Sequence, residues 1–388
     1  MAEILVNDTG SDGPIAVLGT SRQLVAAWTT NGIITCTRLP VSGGGAVADP
    51  FTVNDAGAPA TWPVLAMVIG GFVVVWTSGH NVFMQRMSVD GRKVGARIRV
   101  NDVDADPASP PGVARLLDGG LVVCWADATL ETVRAQMYRG DLSRLGEDRF
   151  AVNVPRDGEF DITGQGVPHG PANYRPAVTG LAVGDTGYAF VVAWQRGRAI
   201  GTTTAHFRFF LSNGKPEPSP DGTPLDAQGK PLGFEHQVKF DIFCRPGALC
   251  AVAGGGFFGL RLPPLTADSY DPTGPLRAAL PVTHVVDHTV TTSPAITLTP
   301  TNDFVVVWAE AARGAAGESA KSIRAMVIDF DLDDPKAVTV NSSPPGEHDG
   351  SCVACTTTDF GYSTAVAWVD GRSVKARVFK ENDLLHDA

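Results

Sequence analysis

The stretch FVVVWTS at Phe72–Ser78 decides the fold, because near-copies of it recur along the chain. They read LVAAWTT (24–30), LVVCWAD (121–127), FVVAWQR (190–196), FVVVWAE (304–310) and TAVAWVD (364–370), and each carries one tryptophan at the same place. These segments are apolar at both parities, which suits a strand covered on both faces rather than one with a solvated side. A unit of this kind cannot bury its faces alone, so copies must stack, and short antiparallel units stack most readily as propeller blades.

Around FVVVWTS the unit can be read in full. WPVLAMV (62–68) is an inner strand, Gly70-Gly71 a turn, NVFMQRMS (81–88) a third strand, and RIRVND (97–102) an outer strand after the Asp90-Gly91 turn. The glycine pair and the Asp-Gly are hairpin signals. A Val-Asn pair marks the outer strand at 6–7, 53–54, 100–101, 152–153 and 340–341. The Asn is read as structural, a side chain bonding its own backbone to end a strand.

Trp194 and Trp308 are 114 residues apart, about two units, so a further unit without the tryptophan belongs between them. ALCAVA (248–253) is assigned to its central apolar strand, and the segment 226–238 to the outer strand before it. The expectation is an all-β, seven-bladed β-propeller of four-stranded antiparallel blades forming one domain over 1–388. The last unit lacks an outer strand and the chain opens with one, ILVND (4–8), so Ile4 to Val6 should complete the last blade and close the ring.

The motif GGFVVVW, followed by QRM, a DG turn and a VND strand, resembles the tandem repeats of large bacterial secreted and surface proteins that often also carry calcium-binding RTX nonapeptides. That resemblance implies a repeat propeller, and it brings calcium and export into view. The glycine-aspartate nonapeptides themselves do not occur in this chain. A few bacterial natural-product enzymes, including the alkylating enzymes that assemble cylindrocyclophanes, are similar in joining such repeats to a propeller. That similarity implies a possible enzyme and carries no catalytic residue with it.

Composition narrows the partners. A formal charge of -10 disfavours nucleic acid, whose phosphates demand clustered Lys and Arg. No segment reaches the roughly 18 apolar residues of a membrane span. MAEILVNDTG shows no signal peptide, which predicts a cytoplasmic protein or a non-classical export route. Of six cysteines, Cys36, Cys124 and Cys250 sit in apolar strands and are read as reduced core residues. Cys244 and Cys250 flank Pro246-Gly247 closely enough for a hairpin disulfide, with packing the preferred reading. The Cys352/Cys355 pair lies in a strand whose alternation sends a spacing of three to opposite faces, which argues against zinc.

Function is expected where loops enter the inner strands at the axial mouth. Two are long, 154–175 and 309–322. His169, Tyr174 and Arg175 are the candidate catalytic group, His288 and His348 the candidate ligands for a divalent metal such as zinc or calcium, and Asp104, Asp106 and Asp349 candidate ligand-binding carboxylates. The NDVDADP run (101–107) has Pro107 and Val113 where an EF-type calcium loop needs Gly and an acid. DFDLDDP (329–335) reads as a solvated turn. Trp62, outside the repeat register and followed by Pro63, should stand near the mouth, where an aromatic face can stack on a sugar. No GxSxG is present, and GGGFFG (254–259) lacks the Lys and Ser/Thr of a phosphate loop. The leading expectation is a non-catalytic module presenting loops to a glycan, a surface polymer or a protein. The alternative is an enzyme acting on a small organic substrate in the axial pocket.

Overall fold

The computed structural model describes residues 3–20, 23–41, 46–55, 57–129, 132–153, 173–181, 188–196, 204–216, 236–238, 246–251, 257–261, 266–270, 280–281, 288–290, 294–301, 303–312, 321–328, 337–342, 348–358, 361–380 and 383. Every named element among them is a β-strand, and among the described residues no helix is long and apolar enough to cross a membrane. The chain opens with β1 (Ile4–Asn7). The first sheet is β2 (Ala16–Gly19), β3 (Leu24–Thr30), β4 (Ile33–Leu39) and β5 (Phe51–Thr52). The second is β6 (Thr61–Val68), β7 (Gly71–Ser78), β8 (Asn81–Ser88) and β9 (Lys93–Arg99). The third is β10 (Gly112–Arg115), β11 (Leu121–Ala126), β12 (Val133–Tyr138) and β13 (Arg144–Ala151).

The fourth sheet is β14 (Asn173–Gly180), β15 (Tyr188–Arg196), β16 (Thr204–Leu211) and β17 (His236–Val238). The fifth is β18 (Pro246–Ala251), β19 (Phe257–Arg261), β20 (Thr266–Tyr270) and β21 (Leu280–Pro281). In the sixth, β22 (His288–Val290) and β23 (Ala295–Leu298) both pair with β24 (Phe304–Ala312), followed by β25 (Lys321–Ile328) and β26 (Ala337–Thr339). The last is β27 (His348–Thr358), β28 (Gly361–Asp370) and β29 (Ser373–Lys380), with β1 on its outer side. Ile4 stands opposite Ala376 and Asn7 opposite Val374.

The tryptophan strands are the second strand of their sheets, as the apolar pattern requires. Trp76 and Trp125 are 1% exposed, and Trp194 and Trp368 are fully buried. Cores form between sheets rather than within them: Ala66, Val73 and Val75 of the second pack with Val123 and Trp125 of the third. Leu24 and Trp28 of the first likewise pack with Cys352, Ala365 and Ala367 of the last. Gly71 is required by close approach, since a Cβ there would lie 2.0 Å from the Met87 carbonyl oxygen.

The Val-Asn pair does more than expected. Asn54 and Asn101 do bond nearby backbone, donating to Ala58 O and Val103 O, and each Asn but Asn7 also reaches across from the end of the outer strand to the turn between the second and third strands. The Asn54 side-chain oxygen accepts the Ile34 N–H at 2.6 Å, Asn101 that of Val82 at 2.8 Å, Asn153 that of Val133 at 2.8 Å and Asn341 that of Ile323 at 2.8 Å. All four Asn are buried. Each receives a donor within the first three residues of the third strand, so the amide joins the two outermost strands. Asn7 is the exception, accepting locally from Thr9.

The carbonyl just before this Asn is taken by the next sheet. Arg149 donates to Val100 O at 2.8 Å, Arg208 to Val152 O at 3.0 Å and Arg377 to Val340 O at 3.0 Å. Outer strands β9 and β13 are bulged at Gly95 and Gly146, with φ of 72° and 84°. Gln85 and Gln136 on the neighbouring strands donate to carbonyls of those bulges. A bulged, twisted edge is a poor template for another chain.

One assignment needs correcting. Pro246–Ala251, which includes most of ALCAVA, is the first strand of the fifth sheet, and Phe257–Arg261 occupies the second position. Both are short apolar runs beside a glycine cluster, so apolarity alone did not separate them. The outer strand of the second sheet also begins earlier than expected, at Lys93.

Candidate functional site

The inner strands begin at the end of each sheet where the second strand finishes, and Trp62, Tyr174, Arg175, His288, His348 and Asp349 each lie at that end of their own sheet. Trp62 lies in β6 and Arg175 in β14, each directly before a proline. Both hold left-handed backbone, with φ of 56° and 50°. Both sit in a register slip, between Thr61 and Val64 and between Tyr174 and Ala177. A non-glycine residue in this region is uncommon, and one preceding proline is further restricted by the ring. Conformations of this kind persist only where the surroundings over-determine them.

The surroundings are the segment 102–111, which threads between the two positions. Trp62 donates its indole N–H to Pro107 O at 3.2 Å. Arg175 donates its backbone N–H to the buried Ser109 hydroxyl at 2.8 Å. The segment is fixed in turn by Ala105 N donating to His80 O at 2.9 Å, Asp106 N to Ala126 O at 3.0 Å and Ala128 N to Asp104 O at 2.7 Å. Asp106 also accepts the Ala108 N–H at 3.0 Å. The Asp104 side chain is exposed, and Trp62 and Asp106 are half-buried. Asp102 next to them pairs with Arg149. Partial burial acts to raise the Asp102 carboxyl pKa, but backbone N–H groups and the Arg149 guanidinium outweigh it and hold it below the usual range.

His348 is the first residue of β27 rather than a loop residue, since β28 runs on to Asp370 and pairs with it. Its ring is 1% exposed, with Nδ1 3.1 Å from Asp370 Oδ1. Asp370 also holds Lys375 at 2.5 Å, and Lys375 reaches Glu3 at 3.3 Å. Glu3 accepts from the Ser342 hydroxyl at 2.7 Å. The Lys375 ammonium pKa is raised by its hydrogen bond to Asp370, opposed by desolvation and reinforced by Glu3. This network was not anticipated. Its sequence trace is an acid two residues after the tryptophan with a base opposite that tryptophan, as in Trp368, Asp370 and Lys375, or Trp308, Glu310 and Arg324.

The remaining candidates are placed only in part. Tyr174 pairs with Gln195 in β14, Asp349 with Val369 in β27 and His288 with Ala312 in β22, so all three belong to strand ends instead of loops. His169, Cys244 and most of the long 154–175 loop lie outside the described residues. Among the described residues no three His, Cys, Asp or Glu side chains converge as a metal-binding group. Cys352 and Cys355 face different cores, as the strand alternation predicts. Burial pushes both thiols up, Cys355 to about 12, with Thr364 opposing it there.

The chain matches no family model, and a search of curated proteins returns no relative. Solved structures are similar in fold. A lectin from Burkholderia pseudomallei aligns over 95% of this chain and 96% of its own, with a TM-score of 0.58 and 11% identity. An α-L-arabinanase from Penicillium chrysogenum aligns over 99% of each chain, with a TM-score of 0.50 and 12% identity. The class is therefore an all-β, propeller-like protein built of four-stranded antiparallel sheets.

Proposed function

We propose that residues 1–388 form a single seven-bladed propeller of the repeat type read in the sequence, closed by β1 in the last blade, and that it is a non-catalytic binding module. Its binding face is the one bearing Trp62, and its ligand a glycan, a surface polymer or a protein. The observation that carries this reading is Trp62 itself: a half-buried indole in a restrained backbone conformation, its N–H already engaged. Such a ring offers a fixed apolar platform, and a platform that does not reorganise loses little entropy on binding. The same scaffold serves a lectin and an arabinanase, so it accommodates saccharides in either role. A glycan array probed with the full chain and with Trp62→Ala tests it. Signals that survive the substitution unchanged refute the assignment.

A second reading is favoured by the His348–Asp370 contact, which joins an imidazole to a carboxylate at the inner end of β27. In it the axial pocket is an active site for a small organic substrate, with His169, Tyr174 and Arg175 acting on it and His288 and His348 holding a divalent metal. Elemental analysis of the purified chain separates the two. Stoichiometric metal that is lost in His288→Ala and His348→Ala supports the enzyme.

A further inference from the structure

The platform has a charge preference built around it. We propose that Trp62, Asp104 and Asp106 form a subsite for an organic cation, a protonated or quaternary amine carried by the ligand. This rests on the binding-face reading above and adds the electrostatic character of what binds.

The indole comes first. Its one polar atom is spent on Pro107 O, so what Trp62 offers a ligand is its π face. That face carries negative quadrupole density and attracts cations, most strongly where water is partly excluded. The residue is half-buried, which supplies part of that exclusion.

The acceptor of the indole N–H belongs to the segment that bears the two carboxylates. Asp106 directly precedes Pro107, and Asp104 lies two residues further back. Main-chain hydrogen bonds to Ala126 and Ala128 hold both residues in place. Among the described residues neither carboxylate has a Lys, Arg or His partner, whereas the neighbouring Asp102 is paired with Arg149. Negative charge with no cationic partner among the described residues therefore stands on the same segment that accepts the indole N–H. A neutral sugar would gain from the ring alone, while an ammonium gains from the ring and both carboxylates.

Isothermal titration of the full chain tests this with four probes: glucosamine oligomers, their N-acetylated counterparts, choline and sodium chloride as a salt control. Glucosamine oligomers should bind about tenfold or more tighter than the acetylated forms, the size of one good cation contact. Asp104→Asn combined with Asp106→Asn should erase that difference without changing the circular dichroism spectrum or melting curve. Trp62→Ala should weaken every form, and Trp62→Phe should restore part of the loss. Choline binding alone would place the ligand among small quaternary amines, and oligomer binding alone among amino sugars. Equal affinity for amine and acetylated forms, with Trp62 dependence intact, overturns the cation subsite and leaves the binding face standing. No binding of any amine probe overturns the subsite, and an array with no Trp62-dependent signal overturns the face as well.

Discussion

The amide bridges of the buried asparagines should make Asn101→Ala costly to stability. The side chain accepts the Val82 N–H at 2.8 Å and donates to His80 O at 2.7 Å and Val103 O at 2.9 Å. Truncation affects these unequally. His80 O keeps a second donor, the Ala105 N–H, and Val103 is exposed enough for water to replace the amide. Those two losses should cost about 0.5–1 kcal/mol each. The Val82 N–H lies near the start of its strand beside an Asn that is only 1% exposed, so nothing replaces its acceptor. An orphaned buried donor costs about 1–3 kcal/mol, for a total of about 2–5 kcal/mol. Equilibrium urea unfolding of Asn101→Ala and Asn54→Ala, with Asn213→Ala as control, measures it. Asn213 closes an exposed turn to Lys215, so its loss should fall within about 0.5 kcal/mol. An Asn101→Ala midpoint indistinguishable from that control would refute the bridge as a source of stability.

Deleting residues 1–8 removes β1, the Glu3 contacts with Lys375 and Ser342, and one edge of the last sheet. Calorimetry should show the melting temperature falling by several degrees, and an unchanged melt would exclude ring closure through β1. Lys375 has a raised native pKa, so its contribution is complete below the unfolded value of about 10.4 and is lost as pH rises through the native one. The stability gap between wild type and Lys375→Met should therefore narrow from pH 9 to pH 12, and a constant gap would show that the network does not act through charge. The thiols of Cys36, Cys124, Cys352 and Cys355 are raised by burial, so a thiol reagent at pH 8 should modify them only as fast as the chain unfolds. Rapid labelling of native protein at any of the four, read by mass spectrometry, would contradict their placement.

Sequence patterning revealed what periodicity encodes. Strands such as β7 and β11, buried at nearly every position, announce themselves by unbroken apolar runs closed by tryptophan. The fifth sheet was harder because PGALCA and FFGLR are both short and apolar, and only pairing shows which of them is central. Val-Asn was visible as a marker, but its partner lies some 18 to 20 residues earlier, on another strand. At the site, Trp62-Pro63 could be placed at an inner strand's start from its neighbours alone. That Arg175-Pro176 repeats the same left-handed backbone could not, because φ is not written in residue type. Ser109 gave no signal at all, since its role is to receive one N–H from a strand that begins more than sixty residues later.

The arginines that take the Val100, Val152 and Val340 carbonyls have a bearing on how such a chain could grow. The third unit ends in an acceptor, Val152 O, and in Arg149 holds a donor for the acceptor before it, much as a link in a chain carries both hook and eye. A tandem duplication of that unit would insert a copy already fitted at both ends. Gain or loss of whole units in ancestral genes would then leave these junctions chemically complete.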